Sequence, residues 1–436
     1  MVKKMLAIII ALFICVLFTG CDIIDNTKDM VSPPELTGDM SPIADALYKS
    51  VGTNCDLKYP SAGDRRSAII QEDINGDGVF EAFVFYSTND DEMTTMHINI
   101  ICQRDGKWRS VSDQTIVANG VEMVDFCDLD NDGVEEILIG WEVNGNNEKQ
   151  LGVFTFDEDT LSQKLLQPYT SFMCCDLDSN GISEIFVHLL NTAEKTNKAM
   201  IYNYLNGEMA QTAGCVMDGS VKSVEKPILS TLSNGQKAIY IDEIKGVGSV
   251  TEVLYVLKGE LINPLLDTDN SFENILTLRA ASLKIQDINS DGIIEIPVAS
   301  ELPNATDSDE KLYYTNWCSF NGEKLSVKLV TLVNTVDGYY LAVPNSMVGY
   351  LAVQKDIDKH ERKFYHFDSK NNVLGKLLFT VTAVDADDWA SKEFDHGNKT
   401  EIARNDTMVF VVELGEGAST FAITIDYIKD TFNFVN

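Results

Sequence analysis

The sequence predicts an all-β chain whose larger part is a β-propeller of about five or six blades. Three observations predict it. An oxygen-rich nine-residue segment recurs in one register, its copies are spaced by about 50 residues or a multiple of that, and each runs into a short apolar stretch of strand character. A small β-rich region of α+β character follows the repeats.

The first 20 residues read as a lipoprotein signal peptide. Lys3 and Lys4 give a positive start, Met5 to Phe18 form an uncharged apolar run, and Leu17-Phe18-Thr19-Gly20-Cys21 ends it on small residues before a cysteine. The run is short for a spanning helix and suits a signal core. The segment resembles a lipobox, with Phe18 where leucine is commonest. That resemblance implies cleavage before Cys21, lipidation of its sulfur (palmitate or a similar acyl chain), and a body held on the extracytoplasmic face of the cell membrane. Residues 21–40, with Asp22, Asp25, Pro33, Pro34 and Gly38, are poor core material and read as a flexible tether. Ser41-Pro42 then opens a short helix within 41–56.

The repeats occupy residues 57–336. Their four copies place oxygen-bearing side chains at positions 1, 3, 5 and 9, a glycine at 6 and a backbone carbonyl at 7. Loop 1 offers Asp73, Asn75, Asp77, Val79 and Glu81; loop 2 offers Asp128, Asp130, Asp132, Val134 and Glu136. Loop 3 offers Asp176, Asp178, Asn180, Ile182 and Glu184; loop 4 offers Asp287, Asn289, Asp291, Ile293 and Glu295. A hard cation takes six to eight oxygens, and a loop with glycine at its sharp turn can wrap them around it, so up to four Ca²⁺ sites are expected. Loop 3 to loop 4 spans two periods. The copy between them keeps its turn at Asn234-Gly235 but has Ser230, Leu232 and Ala238 where ligands would stand. An EF-hand needs an acidic residue at position 12 and an exiting helix. Position 12 here is Val84, Ile139, Val187 and Val298, each within an apolar run that reads as a strand buried on both faces. Asp105-Gly106, Asn206-Gly207 and Asn321-Gly322 mark later hairpin turns.

These loops resemble the FG-GAP/VCBS repeats of integrin α-like propellers, on the loop and period rather than on the letters that named the repeat. Lys58-Tyr59-Pro60-Ser61-Ala62-Gly63-Asp64-Arg65-Arg66-Ser67-Ala68 is similar to a stretch of lipoproteins from clostridia-like bacteria, a likeness that implies no activity. The loops stop at 336, and 337–436 shows alternating strands and a closing helix over 425–434.

The chemistry elsewhere is sparse. The net charge of −33 argues against nucleic acid or an anionic lipid surface as a partner of the body; it serves solubility, and in part its carboxylates serve cations. His97, His188, His360, His366 and His396 lack metal-binding spacing. Cys102, Cys127, Cys174 and Cys318 read as small hydrophobes rather than a disulfide framework, although an exported site permits bridges. Trp108, Trp141, Trp317 and Trp389 read as packing residues. No nucleophile elbow, phosphate loop or dinucleotide fingerprint is present, so no enzyme is expected. The expected role is a surface module that binds a protein or glycan, the alternative an extracellular polysaccharide-active enzyme with residues drawn from distant loops.

Overall fold

The computed structural model describes residues 41–88, 95–143, 148–303 and 312–435. The signal segment, Cys21 and the tether lie outside them. The chain is all-β, with several antiparallel sheets, and divides into two units: Met1–Met123 with Asp157–Leu161, and Val124–Phe156 with Ser162–Asn436.

In the first unit the helix forms where expected, as Ser41–Val51, burying Ile43, Ala44, Ala46 and Leu47. Its apolar face packs with Ile69, Ala82, Val84, Tyr86 and Ile101. The sheet runs Cys55–Lys58, Glu81–Thr88, Thr95–Arg104, Lys107–Val117, and Ile69–Glu72 also pairs with Glu81–Thr88. Six successive residues of Glu81–Thr88 are buried, so the apolar run after loop 1 is covered on both faces. Asp105 (φ 53°) and Gly106 (φ 72°) make the predicted two-residue turn, both in the left-handed region that such turns require.

The same design recurs along the chain. One sheet runs Gly120–Cys127, Glu136–Val143, Glu148–Asp157, Thr160–Pro168; the next runs Ser171–Cys175, Glu184–Asn191, Thr196–Leu205, Glu208–Val216. In the second unit the degenerate copy also builds a sheet, around Lys237–Lys245 and Gly248–Leu257, and keeps its turn with Gly235 at φ 89°. Loop 4 leads into Ile296–Glu301, which pairs with Tyr313–Phe320. Successive sheets of this unit share cores: Phe186, Ala199 and Ile201 pack with Ile239, Ile241 and Leu254, and Tyr240 and Val253 pack with Ile296 and Phe320.

Two expectations need correction. Cys127 and Cys174 are bonded to each other, across 47 residues. They sit at the ends of equivalent strands one repeat apart, so the repeat itself brings them together; Cys102 and Cys318 are free and buried, as small hydrophobes would be. The closing helix is shorter than 425–434: it spans Ile425–Thr431, capped by the Thr424 side chain, and the chain then turns into the strand Phe432–Phe434. That strand pairs with Tyr339–Ala342, which pairs in turn with Leu325–Asn334. One core, including Tyr314, Val330, Leu341, Phe364, Phe410 and Phe432, spans both sides of residue 336.

Candidate metal centres

Each loop is wired almost entirely by its own atoms. In loop 2 the position-1 carboxylate accepts from the amides of Asp132 (3.2 Å) and Gly133 (2.9 Å). Asp130 accepts from the Asp132 amide at 3.2 Å and Asp132 from the Val134 amide at 2.8 Å. Loops 1 and 4 repeat all four bonds: Asp73 takes Asp77 and Gly78, Asp287 takes Asp291 and Gly292, and Asn75, Asp77, Asn289 and Asp291 take the amides two residues on. In loop 3 Asp178 accepts from Asn180 and Asn180 from Ile182. Gly78, Gly133, Gly181 and Gly292 all lie at φ between 83° and 89°, a backbone that a side chain would strain.

The position-9 glutamate closes each loop from beneath. Its Oε2 accepts the position-2 amide, from Ile74, Leu129, Leu177 and Ile288, at 3.3, 2.9, 2.9 and 3.2 Å. Glu81, Glu136, Glu184 and Glu295 are 4% exposed or less. Burial, together with the loop's aspartates, pushes Glu136, Glu184 and Glu295 up to about 7 and raises Glu81. A buried carboxylate facing further carboxylates is costly unless a cation or proton joins it.

Carboxylate oxygens of Asp128, Asp130 and Glu136 lie within 4.8 Å of one another, as do those of Asp176, Asp178 and Glu184; either group could hold a metal ion. Glu184 Oε1 is buried without a hydrogen-bond partner among the described residues. All-oxygen donors, an orphaned carboxylate oxygen and a glycine turn suit a hard cation rather than zinc or copper. In loops 1 and 4, Asn75 and Asn289 stand at position 3, leaving three carboxylates each. In loop 4 the Asn289 amide nitrogen donates to Asp291 at 3.1 Å and Glu295 at 3.4 Å. Val79 and Ile182 turn their side chains partly to solvent, which leaves only main-chain atoms for the role expected at position 7.

Two features lay outside the motif. Lys237 enters loop 3 from the degenerate copy: its Nζ donates to Asp176 O at 2.6 Å and Asp176 Oδ2 at 3.1 Å. Loop 3 therefore has a basic neighbour, where the motif alone shows none.

The other is a buried polar network. Glu243 Oε1 accepts from Asn197 Nδ2 at 2.8 Å, and Asn197 Oδ1 lies 2.6 Å from His188 Nε2. Glu252 Oε1 accepts the Asp218 amide at 3.1 Å, and Asp218 is paired with Lys245 at 2.8 Å. Glu243, Glu252 and His188 are fully buried, so His188 has the structural role its strand position suggested. Its only sequence trace is Asp242-Glu243 and Thr251-Glu252 inside otherwise apolar strands.

Burial pushes Glu252 up to about 7 and, with the charge of Glu252, raises Glu243 well above the carboxylate range; burial pushes His188 down to about 4. The signs oppose. The folded state keeps the glutamate proton that the unfolded chain loses near 4.5, so this contribution to stability is full at low pH and fades as pH rises through about 7. His188 contributes the reverse, its stability fading as pH falls below 6.5. Above 6.5 the glutamates act alone. We expect the melting temperature in calcium-saturated buffer to decline from about pH 6.5 to 8, and Glu252→Gln to flatten the decline. An unchanged slope in that variant would assign the pH dependence elsewhere.

No known protein family matches the sequence, and no curated protein matches it. Among solved structures, the exotype rhamnogalacturonan lyase YesX matches at 10% identity over 75% of this chain and 85% of its own, with a TM-score of 0.30. The rhamnogalacturonan lyase PL11 of Bacillus licheniformis matches at 9% identity over 81% and 90%, with a TM-score of 0.30. The rhamnogalacturonan lyase YesW matches at 10% identity over 84% and 90%, with a TM-score of 0.29.

Proposed function

We propose that this chain is a calcium-binding β-propeller of the FG-GAP/VCBS type, lipid-anchored through Cys21 on the outer face of the cell membrane, where it binds a protein or glycan ligand. The observation that carries the calcium reading is the shared wiring of the four loops, each with a buried glutamate beneath its aspartates. Sheets stacked one per repeat support the propeller. The anchor rests on the sequence ending Thr19-Gly20-Cys21. The loops are structural: calcium would tie the start of each inner strand to the strand before it, and ligand binding would fall to the surfaces so held.

Titration calorimetry checks the first part. Calcium should bind at up to four sites and magnesium more weakly, because flexible carboxylate loops suit the larger ion. Absence of calcium heat would reduce the loops to acidic turns. Cys21→Ala should move the protein from the membrane to the soluble fraction, and unchanged retention would remove the anchor.

The alternative is an extracellular polysaccharide-active enzyme, the class of the three lyases above. Glu243, Glu252 and His188, the carboxylates and histidine of the buried network, are closed to a substrate. Incubation with rhamnogalacturonan separates the readings: unsaturated products favour the enzyme, and retention of the intact polymer or of an exported protein without turnover favours the binding module.

A further inference from the structure

Loop 3 is set apart by a cation that reaches it from the degenerate copy. Loop 2 presents four carboxylates, Asp128, Asp130, Asp132 and Glu136. Loop 3 presents three, Asp176, Asp178 and Glu184, as loops 1 and 4 do, and its position-1 aspartate receives an ammonium from elsewhere in the chain. Lys237 is the first residue of the strand Lys237–Lys245, one place before Ala238, which stands where the working copies carry glutamate. The copy that lost its own ligand thus turns a cation onto its neighbour's position-1 aspartate. The contact is anchored at two points, since Nζ also donates to Asp176 O at 2.6 Å. Glu184 Oε1 nevertheless stays buried and without a partner, so the lysine neutralises the rim of the loop and not its floor.

We propose that Lys237 is a resident counter-cation of loop 3, which holds the loop together without calcium and makes it the last of the four to take the ion. The proposal rests on the calcium reading of the loops. Cation affinity in such loops follows ligand charge, and a positive group on Asp176 both lowers that charge and repels the incoming ion. The four loops then divide by function: loop 2 is filled at the lowest calcium, and loop 3 responds only when calcium is high.

Calorimetry and thermal melting of the whole chain test this with three variants. Lys237→Met should raise calcium affinity at one site by on the order of tenfold, and should lower the melting temperature in chelator while enlarging the gain on adding calcium. Lys237→Arg keeps the charge and should keep the weak site, which separates loss of charge from damage to the strand. Asp178→Ala in the Lys237→Met chain should abolish the gained affinity, locating it in loop 3. An unchanged isotherm in Lys237→Met, or an equal gain with Asp178→Ala present, overturns the proposal and leaves the calcium reading standing. A wild-type chain that takes up no calcium overturns both.

Discussion

Removal of calcium by a chelator is expected to lower the melting temperature by several degrees, and the loss should be largest through loop 2. A ligand that binds only the folded state at a hundredfold its dissociation constant adds about 2.7 kcal/mol, and sites filled together add up. For a unit of this size each kcal/mol moves the transition by roughly 2 °C. Loop 2 should dominate because it concentrates four carboxylates, and burial together with the charge of Asp132 raises Asp130. Asp130→Ala therefore has opposite consequences in the two conditions. With calcium it removes a ligand and destabilises; in chelator it relieves repulsion and costs little or nothing. Asn234→Ala is the control. In the degenerate copy Asn234 donates to Asn321 O at 2.8 Å and accepts the Gln236 amide at 2.9 Å, so its loss costs hydrogen bonds equally in both conditions. Melting curves of the two variants, with and without chelator, decide the matter: no calcium-dependent difference between them would remove loop 2 from the calcium reading.

The loops were legible because their chemistry is local. The five hydrogen bonds described for loop 2 join residues no more than seven apart, so spacing carries that arrangement. The buried inner strands were legible for a similar reason: a strand covered on both faces has few polar positions to spare, and the four or five residues directly after Glu81, Glu136 and Glu184 are mostly apolar. What spacing could not show are contacts that cross repeats. Lys237 reaches Asp176 over 61 residues, and nothing near either residue marks the other. Cys127 and Cys174 were in principle readable, since each lies at or just before the residue preceding an aspartate of the motif, one period apart. Polar residues in the strands of the degenerate copy were hidden by the apolar neighbours that define those strands. The boundary at 336 followed the end of the loops, whereas the core follows strand pairing: Tyr339–Ala342 continues the sheet of Leu325–Asn334, and the chain's last strand, Phe432–Phe434, adds to the same edge.

The strongest single-site destabilisation is expected at Arg279. Its guanidinium donates from Nη2 to Asp242 Oδ1 at 2.6 Å, from Nε to Leu283 O at 2.7 Å and from Nη1 to Thr277 O at 3.2 Å. Asp242 also accepts from Thr251 Oγ1 at 2.6 Å and from the Ile285 amide at 3.0 Å. Both side chains are at least nine-tenths buried. The pair thus ties the strand Lys237–Lys245 to the segment that leads into loop 4. Arg279→Met leaves the Asp242 charge buried with two neutral donors and orphans two carbonyls. Breaking such a pair from one side costs about 3–5 kcal/mol, because the remaining charge keeps its desolvation penalty and loses its partner. Asp242→Leu with Arg279→Met removes both charges and should recover part of the loss. Recovery should stay incomplete, because Asp242 also satisfies the Ile285 amide, and no hydrocarbon side chain can. Urea denaturation of the two single variants and the double variant, in calcium-saturated buffer, closes the cycle. A single-variant cost below about 1 kcal/mol, or a double variant as unstable as the sum of the singles, would mean that water reaches the pair and that the buried charges do not hold this junction.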